Sequence, residues 1–469
     1  MATASKILVI GGGISGLACA WRLRQLGLPV LLLERSSHFG GVIDTIDQDG
    51  FRFDIGPQSF TNTPAVSEII EELGLGGELL TADPRAPRYI LKHGRLVPAP
   101  LNPSELVMSS LLSTRTKLRI ISEPFRRTRP PQTDESIAAF VRRKFGADLL
   151  ENLVAPFVSG VWAGDPEKLS LASSFPGVRR LEERHGSVIR GQIKQRRESG
   201  GKRASLCNFR GGVKTLVTAL ATKLLDSAIA RAEITPIGRP AGTKESTFEV
   251  GYNIGGATES ISVHAIVMAT PPDETARLLN GVAPGFGEIL RRIEYAGVAQ
   301  VSAGYGLEQI NYWNAEKGLE GFGFLVPRTE GLRLLGTVWN SALFAERAPH
   351  GMASFTSFLG GTTDPEIVSK SSDEIAAIAH SELTSVLGLT DVPASQRVTR
   401  WPRALPQYHI GHQNVMQSLR DLCSRTPGIF LAGNYFAGPS IGACIEHANE
   451  VARNVAQFYS ALPASSVAH

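Results

Sequence analysis

No stretch of this 469-residue chain is apolar for long enough to cross a bilayer, which takes about 20 consecutive apolar residues, so no transmembrane helix is expected. Cysteine is scarce. Cys19, Cys207, Cys423 and Cys444 stand far apart with no CxxC pair, which argues against a disulfide framework and against a metal site and leaves reduced, mostly buried thiols. Net charge is scarce as well: the formal balance is +4, and without a long lysine tract nothing points to a nucleic-acid partner. Only MATASK precedes the first apolar run, and that run carries three glycines, so neither a signal nor a transit peptide is expected and a cytoplasmic location is. The composition is not that of a disordered chain. With 42% hydrophobic and 20% charged residues it is ordinary for a soluble protein, and the length suffices for two or three domains with substantial cores.

What is present begins with KILVIGGGISGLACAWRLRQLGLPVLLLER, which reads as strand, tight turn, helix and second strand. Ile7 to Ile10 suits a strand buried on both faces and leads into Gly11, Gly12 and Gly13. Gly11 can take the positive φ of the turn, Gly13 lets a pyrophosphate approach the backbone, and Gly16 lets the helix sit close to the strand. Leu17, Ala20, Leu23 and Leu26 recur at helical spacing before Gly27 stops the helix. Val30 to Leu33 then makes a strand ending on Glu34, eighteen residues after Gly16, close to the offset of an acid that binds ribose hydroxyls. Its charge would repel a 2′-phosphate, which disfavours NADP. Strand, glycines, helix and acid together predict a bound dinucleotide, and they do not choose between FAD and NAD.

Further along, Gly40 and Gly41 could bring backbone N–H groups to a phosphate or ribose, although an ordinary turn would look the same. FRFDIGPQSF (51–60) reads as a strand feeding a loop at Gly56–Pro57 that could face a flavin. A helix is expected from Pro64 to Leu73, and PRYILKHGRLVPAP (87–100) predicts a hairpin turning at His93–Gly94 with Arg88 at the mouth of its first strand. Residues 104–206 read as a helical insertion. Between Arg115 and Arg129 six basic residues and one acid, Glu123, flank Leu118, Ile120, Ile121 and Phe125, a pattern that fits a solvated helix face or attachment to an anionic membrane surface. Val213 to Leu225 is expected to be helical, and Ile229 to Ile237, Thr247 to Ile254 and Ile261 to Ala269 to be strands, the last ending in ATPP. Alternating apolar residues over 296–361 predict an antiparallel sheet with one face on a helix layer. Near the end, Ile429 to Ala432 reads as a buried strand, Gly433–Asn434 as a turn, and Ile441 onward as a helix. Its N-terminus would face the first glycine turn and could stabilise electron density on a flavin's pyrimidine ring.

Four stretches now carry a family resemblance: GGGISGL with Glu34, APFVSGVWAGDPEKLSLASSFP (155–176), WPRALPQYHIGH (401–412) and LAGNYFAGPSIGACI (431–445). The chain resembles the protoporphyrinogen oxidases, FAD-dependent enzymes in the flavoprotein superfamily that also contains the amine oxidases. The resemblance implies an α/β fold with a discontinuous Rossmann-like FAD-binding domain of the amine oxidase and p-hydroxybenzoate hydroxylase type (1–60, 205–290 and 420–460). To it are added an α+β substrate domain (61–100 and 291–419) and a helical membrane-associating lobe (101–204). It implies non-covalent FAD, because the motif around Cys444 does not match the covalent attachment site of amine oxidases. The cofactor would be held at the amino-terminal side by Gly11, Gly13, Ile14, Ser15, Gly16, Glu34, Arg35, Gly40, Gly41 and Val42. Gly56, Pro57, Gln58, Ile234, Trp401, Gly433, Asn434, Ser440 and Ile441 would complete the site.

By the same resemblance Arg88 pairs with a substrate propionate, and Phe324, Leu335 and Phe358 are apolar groups around the macrocycle. No residue stands out as a general acid or base. The implied reaction removes six electrons from protoporphyrinogen IX in three hydride transfers to flavin N5, with oxygen reduced to hydrogen peroxide and protoporphyrin IX as product. Coproporphyrinogen III as substrate, another enzyme of the superfamily such as an amine oxidase or carotenoid desaturase, and a non-enzymatic flavin-binding module remain as alternatives. The resemblance also brings a peripheral membrane surface, with ferrochelatase or a second copy of the chain as further partners. Gln58 departs from the family, which often carries asparagine there. Leu405 and His409 are further departures, and His409 is expected to be exposed rather than catalytic.

Overall fold

The structure is a computed structural model and describes residues 6–100, 102–126, 128–198, 205–240, 247–311 and 319–462. Its centre is a five-stranded parallel sheet in the order Ala228–Ile229, Val30–Leu33, Ile7–Ile10, Ala265–Met268, Ile429–Leu431. Alternation explains the unbroken apolar run of its first strand. Ile7 and Val9 point to one face, under helices Ile14–Gln25, Lys214–Lys223 and Ile441–Ser460, while Leu8 and Ile10 point to the other, against Phe248, Leu278, Phe286 and Leu419. A strand wetted on neither side has no position for a polar residue.

Two expected strands are each divided between two sheets. Ile229–Ile237 separates into Ala228–Ile229 in the parallel sheet and Glu233–Ile234 in a three-stranded antiparallel sheet, because Arg231 adopts φ 59° between them. Ile261–Ala269 likewise divides at His264 into Ala257–Val263 and Ala265–Met268. In each segment apolar residues stand on both sides of the break, so the pattern alone does not locate the change of sheet.

The second large sheet has seven strands in the order Ser395–Pro406, Tyr295–Gly306, Met352–Gly360, Leu334–Trp339, Gly323–Leu325, Arg88–Lys92, Arg95–Pro98. All neighbours are antiparallel except Gly323–Leu325 with Arg88–Lys92. The hairpin at its edge turns on His93 (φ 52°) and Gly94 (φ 72°), the paired positive φ that keeps two-residue hairpins in step with strand twist. Helix Ser372–Leu387 covers one face, packing Ile375, Ala379 and Leu383 on Val301, Tyr305 and Phe355. The opposite face looks toward the helices of residues 102–198.

Those helices are short: Pro103–Met108, Thr114–Ser122, Ile137–Lys144, Ala155–Trp162, Leu171–Ser174, Pro176–His185 and Val188–Glu198. Side chains of Ser113 and Ser136 cap two of them, and Gly186 (φ 65°) ends a third. Leu111, Ile120, Phe140, Val158 and Trp162 fill their core. Beside it the buried Lys144 ammonium lies 3.2 Å from Glu123 and 3.1 Å from Glu182. Glu123 in turn accepts the first N–H groups of the last helix, from Val188 and Ile189, so one charge cluster pins three helices. Of the expected basic stretch Arg127, and of the expected helical insertion residues 101 and 199–204, lie outside the described residues.

Candidate functional site

A cleft of about 390 Å³ opens at the carboxyl ends of Ile7–Ile10 and Val30–Leu33, the side of a parallel sheet where nucleotides bind. Its floor is the first glycine turn. Gly11 sits at φ 107°, and a Cβ there would stand 2.6 Å from the Ala269 carbonyl oxygen. A Cβ on Gly16 would lie 1.8 Å from the Gly11 oxygen, so only glycine lets the helix approach this closely. At Gly13, by contrast, a Cβ would meet nothing within 4 Å. Gly13 is the N-cap of helix Ile14–Gln25 and supplies no side chain to its first turn, so the N–H groups there face open space as an anion cradle.

Glu34 closes one end. Its carboxylate accepts N–H groups from Gly12 at 2.5 Å and Ser36 at 2.6 Å, which holds the acid at the strand end where a ribose would lie. Arg35 beside it is mostly exposed, with Glu274 3.9 Å away. The second glycine pair folds back on the first: Gly40 N–H donates to Gly12 O at 2.8 Å, and a Cβ on Gly41 would stand 3.2 Å from Gly13 Cα. Val42 follows, 45% exposed although apolar, on the cleft wall.

The far end comes from the carboxy-terminal third. Strand Ile429–Leu431 delivers Gly433 and Asn434, and helix Ile441–Ser460 starts at Ser440, whose hydroxyl accepts Ala443 N–H at 3.2 Å. Cys444 also lines the cleft; burial pushes its thiol up to about 11, so it keeps its proton at neutral pH.

Of the residues expected at the cofactor, Gly11, Gly13, Ile14, Ser15, Glu34, Arg35, Gly40, Gly41, Val42, Pro57, Ile234, Gly433, Asn434 and Ile441 line this cleft. Gly16 acts from behind it, and Ser440 as a cap. Gly56 does not line it: its N–H donates to Gln300 Oε1 at 2.9 Å, and a Cβ there would stand 2.2 Å from the Val42 oxygen. Gln58 requires a correction. It is buried, its amide donates to Asp54 O and Gly56 O, and its Oε1 accepts from Asn340, so every polar atom is committed to holding the loop. Trp401 pairs with Val298 in the seven-stranded sheet, and its buried Nε1 has no hydrogen-bond partner. Tyr295 and Arg403 line the cleft without having been expected. Arg403 stacks 5.5 Å over the Tyr295 ring and pairs with Asp273; it stands within WPRALPQYHIGH, where an arginine in a motif was the available signal.

Next to the cleft is an apolar wall. Leu335 and Phe358 cluster with Ala163, Val298, Ala404 and Leu405, and Ala404 belongs also to the cleft lining. Phe324 is not part of it. On its short strand Phe324 points into the helix-covered core with Tyr89 and Phe355, and strand alternation sends its neighbour Leu325 the other way, against Gly160 of the helical region. Arg88 precedes the core residue Tyr89 and so emerges on the same face as Phe358, with its guanidinium 5.2 Å over the Phe322 ring. His409 is half-buried rather than exposed, and burial lowers its pKa.

Residues 14–457 match the family described as "Flavin containing amine oxidoreductase". The chain is 33% identical to protoporphyrinogen oxidase 1, chloroplastic, of Spinacia oleracea, covering 97% of this chain and 84% of that one. It is 30% identical to coproporphyrinogen III oxidase of Bacillus subtilis (strain 168), covering 94% and 95%. A crystal structure of a protein from Exiguobacterium sp. 255-15 superposes with a TM-score of 0.81 at 22% identity, covering 97% of this chain and 99% of that one, which shows the same fold. An open cradle at Gly13, the pinned carboxylate of Glu34 and a second helix N-terminus at Ile441 suit a flavin dinucleotide, and the chain belongs to the flavin containing amine oxidoreductase family, as a relative of the protoporphyrinogen oxidases and an FAD-dependent oxidoreductase.

Proposed function

We propose that the chain oxidises a porphyrinogen in haem biosynthesis, taking protoporphyrinogen IX to protoporphyrin IX with oxygen as acceptor. The observation that carries this reading is the shared wall: Ala404 belongs both to the flavin cleft and to the apolar cluster of Leu335 and Phe358, with Arg88 on the same sheet face. A bound flavin supplies hydride acceptance and reoxidation by oxygen to hydrogen peroxide, three times over for a six-electron oxidation. The protein binds, orients and excludes water. Apolar side chains at the wall take the macrocycle, and Arg88 takes a carboxylate in a charge-assisted hydrogen bond contributing about 1.5–3 kcal/mol. Burial pushes up the pKa of Tyr295, Tyr435 and Cys444, so these cleft groups stay protonated and neutral at pH 7. They offer no base to a substrate, which suits hydride rather than proton abstraction.

A second reading, coproporphyrinogen III to coproporphyrin III, has support from the name of the Bacillus relative, which matches over nearly the whole chain. Anaerobic mixing of the flavin-loaded protein with each porphyrinogen tests both. Bleaching of the flavin band by one porphyrinogen and not the other selects between them, and bleaching by an amine alone overturns both.

The helical region supports a peripheral membrane contact. Met108, Leu118, Ile121 and Phe125 are 82%, 62%, 50% and 83% exposed, and Arg115, Lys117, Arg119, Arg126 and Arg129 stand near the last three in sequence. Large apolar side chains left in water beside cations match an anionic lipid surface. Among the described residues no helix is long and apolar enough to cross a membrane. Absence of co-sedimentation with anionic vesicles at low salt would remove this contact.

A further inference from the structure

Three donors from the segment carrying the seven-stranded sheet converge on one turn of the flavin cleft. Tyr295 Oη donates to Asn434 Oδ1 at 2.9 Å, Tyr408 Oη donates to the Asn434 carbonyl, and His412 Nε2 lies 2.9 Å from the Tyr435 carbonyl. Their acceptors, Asn434 and Tyr435, are consecutive cleft-lining residues that open the single helical turn Asn434–Ala437 after Gly433. A carbonyl can only accept, so Nε2 of His412 carries the proton, and this fixes its tautomer.

Tyr408 and His412 lie in the closing half of WPRALPQYHIGH, residues 407–412, none of which lines the flavin cleft or joins the apolar wall. They behave as one body, with rings stacked at 4.1 Å and 12°, and with only 2% and 6% of their surface exposed. The Trp162 ring is tilted against Tyr408 with centroids 4.9 Å apart, and the preceding Gln407 donates to the Trp162 carbonyl at 2.9 Å. Trp162 ends helix Ala155–Trp162 of the helical region. One stacked pair therefore touches the flavin turn on one side and the helical region on the other.

We propose that Tyr408 and His412 are positioning residues: they set the Gly433–Tyr435 turn against the flavin and make its place depend on the seating of the Trp162 helix. The proposal rests on the flavin site assigned above, and it is independent of which substrate the enzyme takes. Neither side chain lines the cleft, so each acts through Asn434 or Tyr435.

The test is a flavin titration on the full chain, followed by fluorescence, with the visible spectrum and the two-electron midpoint potential of the bound flavin as further readouts. Tyr408→Phe keeps the stacked ring and removes the hydroxyl, leaving the Asn434 carbonyl without its donor, and is expected to weaken FAD binding about tenfold. The flavin spectrum and potential should shift with it, and kcat should fall while KM holds. His412→Leu should do the same, and His412→Gln, which can return an amide N–H to the Tyr435 carbonyl, should restore affinity and spectrum. Wild-type affinity, spectrum and potential in folded Tyr408→Phe would overturn the proposal, and so would His412→Gln behaving like His412→Leu. If His412→Leu does not fold, Tyr408→Phe alone decides. A wild-type protein that binds flavin and oxidises some other substrate would refute the proposed reaction and leave these outcomes standing.

Discussion

Replacing Gly13 by serine should separate folding from cofactor binding. Gly13 caps helix Ile14–Gln25 with φ −72° and ψ 177°, an extended conformation open to any residue, and a Cβ there would meet nothing within 4 Å. Serine is as good an N-cap as glycine or better by a few tenths of a kcal/mol, since its hydroxyl accepts a first-turn N–H. Flavin-free Gly13→Ser should therefore melt at or slightly above the wild-type temperature. Bound flavin is another matter, because the same space and the same N–H groups serve the diphosphate. Loss of two charge-assisted hydrogen bonds at about 1.5–3 kcal/mol each amounts to about 3–6 kcal/mol, or roughly 10²–10⁴-fold in Kd.

Gly16→Ala supplies the contrast. Its Cβ would stand 1.8 Å from the Gly11 carbonyl and 3.2 Å from Ala269 Cβ, so strand and helix must part even without flavin, at a cost of about 1–3 kcal/mol. Calorimetry of the flavin-free proteins and fluorescence titration with FAD measure the two effects separately. If Gly13→Ser binds FAD as wild type does, or loses as much stability as Gly16→Ala, the cradle has been assigned to the wrong glycine.

Arg88→Ala should raise KM by about 10- to 150-fold, the equivalent of 1.5–3 kcal/mol, and lower kcat much less, because a carboxylate remote from the reacting bonds is held equally in ground and transition states; unchanged KM would take Arg88 out of the site. Lys144→Met should cost about 3–5 kcal/mol in a urea melt, because Glu123 would stay buried without its cation while Glu182 keeps only Arg143, 2.8 Å away, and a loss under 1 kcal/mol would show that water reaches Glu123. Burial holds the His412 pKa at about 4, below its ordinary 6.5, so the unfolded chain binds the extra proton first as pH falls. The part of stability tied to His412 is therefore intact above pH 6.5 and lost progressively toward pH 4, up to about 3 kcal/mol. His412→Gln should flatten that slope between pH 6.5 and 4, and a slope identical to wild type would refute the buried neutral imidazole.

The glycine turn, the acid at Glu34 and the helix at Ile441 were legible because each is a local pattern with a local physical cause: a φ only glycine tolerates, a strand end, a cap. The hairpin at His93–Gly94 was legible for the same reason. Phe324 and Gln58 were not. Whether an apolar residue on a three-residue strand faces the core or the site depends on which side the helix Ser372–Leu387 covers, and that is set by pairing between segments far apart in the chain. Gln58 resembles a cofactor ligand by position, yet its carboxamide is consumed by Asn340, 282 residues away. Arg231, with its positive φ, divides a segment expected as one strand between two sheets, and no composition rule marks a non-glycine residue for that conformation.

Of the four motif stretches, 155–176 supplies no residue to the cleft lining, and geometry says why. A Cβ on Gly160 would stand 2.4 Å from Leu325, one on Gly164 would stand 2.5 Å from Gln407 Oε1, and one on Gly361 would stand 2.5 Å from the Ala163 carbonyl. All three are joints where the helices of 155–176 meet the seven-stranded sheet or the strand end that continues into Gln407–His412. A cleft floored by glycine backbone has few side chains with which to correct an error of placement. Its selectivity must come from where the walls stand, and the walls belong to three different segments of the chain. The residue choices that fix the chemistry are therefore those at the joints, where a single methyl group would move Ala404, Leu335 and Phe358 relative to Gly13 and Asn434 without touching any ligand.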